Sequence, residues 1–121
     1  MYNKIVLDHF QNPRNLQEPK SYDGMGMAVN PSCGDVMTIY LHLDKNKISS
    51  AQYKTMGCGA AIASGSILTE YLKGKTTDEA TKITPDFLLK QMGDLPAIKL
   101  HCPELAVDAL HKALKSVKSK I

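Results

Sequence analysis

Between Asp35 and Leu43 every second residue is large and apolar. Met37, Ile39, Leu41 and Leu43 alternate with Val36, Thr38, Tyr40 and His42. A period of two places the first set on one face of a β-strand and the second on the other, a pattern no helix can use. Asp44-Lys45-Asn46-Lys47 follows as a hairpin turn, and residues 48–56 read as the returning strand. A shorter run, residues 25–29, adds a third strand at an edge. Strands joined by short turns pair antiparallel. The chain is thereby restricted to folds built around an antiparallel sheet.

The flanking segments change period. Tyr2, Ile5, Val6, His9 and Phe10 recur at helical spacing and stop at Asn12-Pro13, as a helix meeting proline must. Residues 11–26 contain two prolines, two asparagines and two glycines, and read as a long, partly extended loop. Residues 60–73 are rich in Ala, Ile and Leu, with Gly74 placed as a C-terminal cap. Thr77-Asp78-Glu79 starts a short helix with acids in its first turn. Thr84 N-caps another, with Pro85 at its first position and Gly93 at its end. A loop across Pro96 leads to a last helix beginning near Pro103-Glu104, with Leu105, Ala106, Ala109, Leu110, Ala113, Leu114 and Val117 as its apolar stripe. Strands first and helices afterwards predict an α+β fold: a small antiparallel β-sheet of about three strands with helices packed on one face.

At 121 residues the chain has the size of one domain, and its 43% apolar content is that of a globular protein. Arg14 is the only arginine among 15 basic residues, and tryptophan is absent. Both facts argue against a nucleic-acid reader, which favours arginine forks and aromatic stacking. Arg14 itself is read as a candidate partner contact, with loop packing as the alternative. No apolar run is long enough to cross a membrane, and residues 1–5 lack the pattern of a secretory signal.

The chemistry lies in three cysteines. Cys33 precedes the first long strand, Cys58 stands between the second long strand and a helix, and Cys102 follows His101 at the start of the last helix. None forms a CxxC pair, so a zinc ribbon or thioredoxin-type motif is not supported, and an odd number in a reducing compartment does not suit disulfides. Cys58 and Cys102 fall at helix N-termini, where N–H groups favour a thiolate. Glycines beside Cys33 and Cys58 permit unusual backbone angles and the close approach of another group. Asp35 and His101 gain interest because each lies within two residues of a cysteine. Taken singly, they would be a turn residue and a surface histidine.

Together these pieces resemble the IscU/NifU-type iron–sulfur cluster assembly scaffolds. The resemblance runs through Asp8-His9, Asn12-Pro13-Arg14-Asn15, Cys33-Gly34-Asp35-Val36-Met37, residues 54–64, Thr69-Glu70, Lys73-Gly74-Lys75 and Lys99-Leu100-His101-Cys102. It implies an IscU/SufE-like fold and a single scaffold domain over residues 1–121, in the stand-alone form. It implies a carrier rather than an enzyme: a 2Fe-2S cluster is built from iron and desulfurase-derived sulfur and passed to apo iron–sulfur proteins. Cys33, Cys58 and Cys102 correspond to the cluster-binding cysteines, and Asp35 and His101 to the alternatives for the fourth position. Cys102 corresponds to the persulfide acceptor, with Lys99 nearby. Leu95, Pro96, Ala97, Ile98 and Lys99 resemble a chaperone-recognition segment, with Ala97 in place of a second proline.

The implied partners are a cysteine desulfurase, an electron donor such as a ferredoxin, a frataxin-like protein and Hsp70/J-protein chaperones. Homo-oligomers are allowed, and neither nucleic acid nor membrane is expected. The implied compartment is a bacterial or archaeal cytoplasm, with a mitochondrial matrix or relict mitochondrion as the alternative. Zinc fits the same ligands. The alternative function is therefore a SufU-like, zinc-dependent sulfur acceptor, though that type carries an insertion between the second and third cysteines that is absent here. A Cys102/His101 nucleophilic enzyme and a purely structural zinc module are the further rivals.

Overall fold

The computed structural model describes residues 4–31, 34–93 and 101–119. In chain order the elements are α1 (Lys4–Gln11), β1 (Gly24–Val29), β2 (Val36–Asp44), β3 (Lys47–Met56), α2 (Gly59–Leu72), α3 (Thr77–Thr81), α4 (Pro85–Gln91) and α5 (His101–Ser119). The strands pair antiparallel in the order β1-β2-β3, as the alternation predicts. The hairpin joining β2 to β3 turns at Lys45, which takes a positive φ of 61°. A bulge between His42 and Leu43 shifts the register there, so Leu43 pairs with Ile48.

Register explains the core. Gly26 lies opposite Ile39, and Ile39 opposite Tyr53, so the three share the inner face. Met37, Ile39 and Leu41 are fully buried there, together with Ile48, Ala51 and Tyr53. Both long helices cover this face: α5 lies along β1 and β2, and α2 lies on β3. The α5 approach depends on small residues. A side chain at Gly26 would overlap the Ala109 carbonyl and the Ala113 amide of α5. On the other side, Gly65 of α2 sits flat against the Tyr53 ring. Tyr53 is a buried anchor: its hydroxyl donates to the Ile62 carbonyl at 2.6 Å, and burial raises its pKa well above the ordinary tyrosine range.

The outer sheet face is partly closed by the loop after α1. Tyr53 N–H donates to the Asn15 carbonyl at 3.0 Å, and Leu16 bridges in parallel to Tyr53 along the free edge of β3. The loop then crosses toward β1. Lys54 pairs with Glu18 at 2.9 Å, and Tyr22 stacks at 5.3 Å on Tyr40, which is buried although it points outward. Asp23 ends the crossing by taking the Leu43 amide on its carboxylate at 2.7 Å. The long loop read from the sequence is thus a docked strap.

Caps set the helix ends. Gly74 (φ 89°) and Gly93 (φ 77°) adopt the left-handed conformation that ends α2 and α4. Thr76 and Glu79 form a capping box at α3, each accepting the other's backbone N–H. Thr84 accepts the Phe87 amide at 3.1 Å. Replacing Thr84 by alanine removes that acceptor and is expected to cost about 1 kcal/mol. The thermal midpoint should fall by a few degrees, while Thr84→Ser should leave it almost unchanged. Strand and helix ends fall within a residue of the sequence reading at β1, β3 and α2, whereas α5 begins at His101 rather than near Pro103. Proline is tolerated in the first turn because the N–H groups there have no intrahelical acceptor to lose.

Candidate metal centre

The sheet brings one end of β2 and one end of β3 together. Val29, Val36 and Met56 lie in a row across the strands, so Asp35 enters the sheet where Gly57 and Cys58 leave it. Asp35 is held by its backbone: the Asn30 amide donates to the Asp35 carbonyl, and the Gly34 amide to the Asn30 carbonyl, both at 2.8 Å. Gly34 makes this turn possible with a φ of 76°. The Thr55 hydroxyl donates to the Val36 carbonyl at 2.6 Å and ties β3 to the same corner.

Cys58 is the N-cap of α2, in extended conformation, and its side chain makes no capping hydrogen bond. The third and fourth α2 amides, Ala61 and Ile62, bond instead to the Cys58 carbonyl. The sulfur is left for other chemistry. Cys102 lies in the first turn of α5 and is fully buried, whereas Cys58 is half-buried. The packing of α5 on β1 and β2 carries Cys102 to the same corner. Two cysteine sulfurs and a carboxylate from three distant segments then converge: Cys58 Sγ and Cys102 Sγ are 3.7 Å apart, and with an Asp35 oxygen all three atoms lie within 4.8 Å of one another.

That spacing can be compared with coordination chemistry. Two sulfurs at tetrahedral positions about 2.3 Å from a metal ion stand about 3.8 Å apart. The observed sulfur pair has very nearly that separation. The donor set, two soft sulfurs and one hard oxygen, fits zinc or iron. Both sulfurs also stand at helix N-termini.

Of the other sequence-predicted residues, Cys33 and the segment Leu95, Pro96, Ala97, Ile98 and Lys99 lie outside the described residues. His101 opens α5, and its side chain also lies outside them. The glycine reading holds in one half at each position. Gly34 uses a positive φ, whereas Gly57 and Gly59 do not. These two instead allow close approach: Gly59 lies under the Phe10 ring of α1, and Gly57 lies against the Asp35 carboxylate.

A second set of residues supports the corner from behind, and only part of it is visible in the sequence. His9 Nδ1 lies 2.7 Å from Ser66 Oγ, which also accepts the Arg14 amide at 2.9 Å. Asn15 donates to Thr69 Oγ1 at 3.1 Å. These bonds fasten α1 and its following loop to α2, the helix that Cys58 caps. Burial, with Arg14 adding to it, holds the His9 imidazole below its ordinary pKa, so the neutral ring is favoured. Arg14 binds Asp8 at 2.8 Å and keeps that carboxyl below the usual range. Arg14 thus ties the loop to α1 through Asp8 and to α2 through Ser66. The sequence marks Arg14 as unusual but cannot reveal Ser66 as its acceptor, because the two are far apart in the chain.

Among the described residues no helix is long and apolar enough to cross a membrane. Comparison with known proteins gives a consistent result. A protein of Archaeoglobus fulgidus named iron-sulfur cluster assembly scaffold protein IscU 1 is 50% identical over 114 residues, covering 94% of this chain and 74% of its own. A mitochondrial protein of Debaryomyces hansenii named iron sulfur cluster assembly protein 1 is 45% identical over 125 residues, covering 99% of this chain and 69% of its own. The crystal structure of the N-terminal part of a nitrogen-fixing NifU-like protein from Brucella abortus superposes with a TM-score of 0.81 at 17% identity. It covers 98% of this chain and 95% of that one, and at this identity it speaks for the fold alone. The family model of the NifU-like N terminal domain matches residues 1–121, and with relatives of this similarity the chain belongs to that family.

Proposed function

We propose that the protein is a scaffold on which a 2Fe-2S cluster is assembled and from which it is transferred to apo-proteins. The observation that carries this reading is the convergence of Asp35, Cys58 and Cys102, whose donor atoms lie within 4.8 Å of one another. Scaffold proteins with half of its residues in common support it. In this reading Cys33, two residues before Asp35 in the chain, supplies the third thiolate. Asp35 is the fourth ligand, with His101 as the alternative.

The chemistry of the set suits a temporary holder. Iron–sulfur clusters are held most firmly by four thiolates. A hard carboxylate among soft sulfurs is the weakest and most exchangeable bond, so a recipient can begin displacement there. Sulfur arrives at Cys102 as a persulfide from a cysteine desulfurase. Releasing it as sulfide takes a pair of electrons, so an external donor such as a ferredoxin is required. The chain binds and orients these components and returns unchanged, the role of a carrier rather than of an enzyme. A frataxin-like protein and Hsp70/J-protein chaperones are the further partners, the latter through Leu95, Pro96, Ala97, Ile98 and Lys99.

Anaerobic incubation with iron(II), cysteine, a cysteine desulfurase and a reduced ferredoxin as electron donor tests this reading. The expected result is visible charge-transfer absorption on the protein, followed by transfer of the cluster to an apo-ferredoxin. A zinc ion that cannot be displaced, with no colour developing after iron, sulfide and reductant are added, would sink it. Sulfur acceptance that proceeds only with zinc bound would favour the sulfur-acceptor function instead.

A further inference from the structure

We propose that Gly57 is a positioning residue, whose missing side chain leaves the space from which the Asp35 carboxylate reaches the two thiols. A Cβ built at Gly57 would stand 2.9 Å from Asp35 Cγ and 2.9 Å from its Oδ2. Real Cβ atoms do not approach other groups so closely, so the carboxylate and a side chain at residue 57 exclude one another. The backbone does not ask for glycine here, because Gly57 lacks the positive φ that Gly34, Gly74 and Gly93 adopt. What glycine provides at this position is volume.

The direction of the displacement follows from what can move. Asp35 is held through its backbone by Asn30. Its carboxyl group is the far end of a short side chain that turns about its own bonds. The third of the nearest atoms among the described residues, the Ala61 Cβ at 3.1 Å, sits in the first turn of α2 and needs to yield only a few tenths of an ångström. The carboxylate is therefore the group that leaves, and it leaves the thiol pair. Gly57→Ala should remove the oxygen donor from the centre while every donor residue stays in the sequence. The proposal rests on reading Asp35, Cys58 and Cys102 as one metal-binding set.

Cobalt(II), a probe that reports its ligands in the visible spectrum, tests this in the apo-protein. Four forms are titrated: the unaltered protein, Gly57→Ala, Asp35→Asn and the double variant. The expected thiolate-to-cobalt absorption is the same in all four, since the sulfurs are untouched. The ligand-field bands of Gly57→Ala should shift to those of Asp35→Asn, and both should bind cobalt about tenfold more weakly. The double variant should match Asp35→Asn, because a displaced carboxylate cannot be lost again.

Bands and affinity of Gly57→Ala equal to those of the unaltered protein, while Asp35→Asn differs, would overturn the proposal and leave the metal-binding reading standing. Losses that add in the double variant would overturn it as well. Absence of thiolate-to-cobalt absorption in the unaltered protein would overturn the metal-binding reading itself, and the proposal with it. Thermal melting guards against a variant that folds poorly. Any loss in midpoint caused by Gly57→Ala should vanish in an Asp35→Ala background, where the colliding group is gone. A loss that persists there traces to Ala61 and also refutes the proposal.

Discussion

Replacing Cys102 by serine is expected to lower desulfurase-driven cluster assembly to the rate of a control without scaffold. The side chain is fully buried in the first turn of α5, with its sulfur 3.7 Å from that of Cys58. Serine keeps the shape, so the helix and its packing on β1 should survive, with a cost of about 1–3 kcal/mol if the hydroxyl finds no partner. What serine cannot do is hold sulfur. A persulfide forms when a thiolate attacks the outer sulfur of the donor's persulfide and takes it, and a hydroxyl at this pH offers no comparable nucleophile. Absorbance at the charge-transfer bands, followed alongside the far-ultraviolet dichroism of the variant, separates lost chemistry from lost fold. A folded variant that assembles and transfers clusters at the unaltered rate would remove Cys102 from the acceptor role. Cys58→Ser is the informative companion. It keeps the acceptor but deprives the centre of one of its two adjacent sulfurs, so sulfur should reach Cys102 while cobalt affinity falls.

Much of the fold was legible in the sequence alone, and the reason is local. The alternation through Met37, Ile39 and Leu41 depends only on a strand's period, and the strand forms with those residues inward. Thr84 acts through the amide three residues ahead and Gly74 through its own positive φ, so their roles also follow from spacing. Cys58 and Cys102 stand out because few uses of a thiol suit a loop–helix junction, and the structure joins them with Asp35. What escaped the sequence depends on distance in space. Ser66 looks like an ordinary helix residue until His9 and Arg14 arrive from another element. Burial of Tyr40 on the outer face needs Tyr22, delivered by a loop with no periodicity to announce it. Gly57 illustrates the limit most clearly. A glycine beside a cysteine signals either an unusual angle or a close neighbour, and only the position of the Asp35 carboxylate decides between them.

Gly26 is the same ambiguity with a larger consequence, and Gly26→Val is expected to abolish the folded state or leave it marginal. A side chain there collides with the Ala109 carbonyl and the Ala113 amide, and its Cβ comes within 2.7 Å of the Lys112 carbonyl carbon. All three are backbone atoms of a helix held along its length, so no rotamer change relieves the overlap. Either α5 lifts from β1 or the strand withdraws, and both open the core that Ala106, Ala109, Leu110 and Ala113 close. A loss above about 4 kcal/mol is the expected scale for such a collision, against a total stability of about 5–15 kcal/mol for a domain. The neighbouring residue supplies the contrast. Met27 points to the outer face and is 54% exposed, so Met27→Ala should change stability by about 0.5 kcal/mol or less. Urea denaturation of the two variants measures both effects. Because α5 carries Cys102, any folded fraction of Gly26→Val should also bind cobalt more weakly, through separation of that sulfur from Cys58. A Gly26→Val protein that melts within a degree or two of the parent would show that α5 does not rest on β1 as closely as the geometry requires. The path from a missing methyl group on β1 to the spacing of two sulfurs at the far end of the sheet would then be broken.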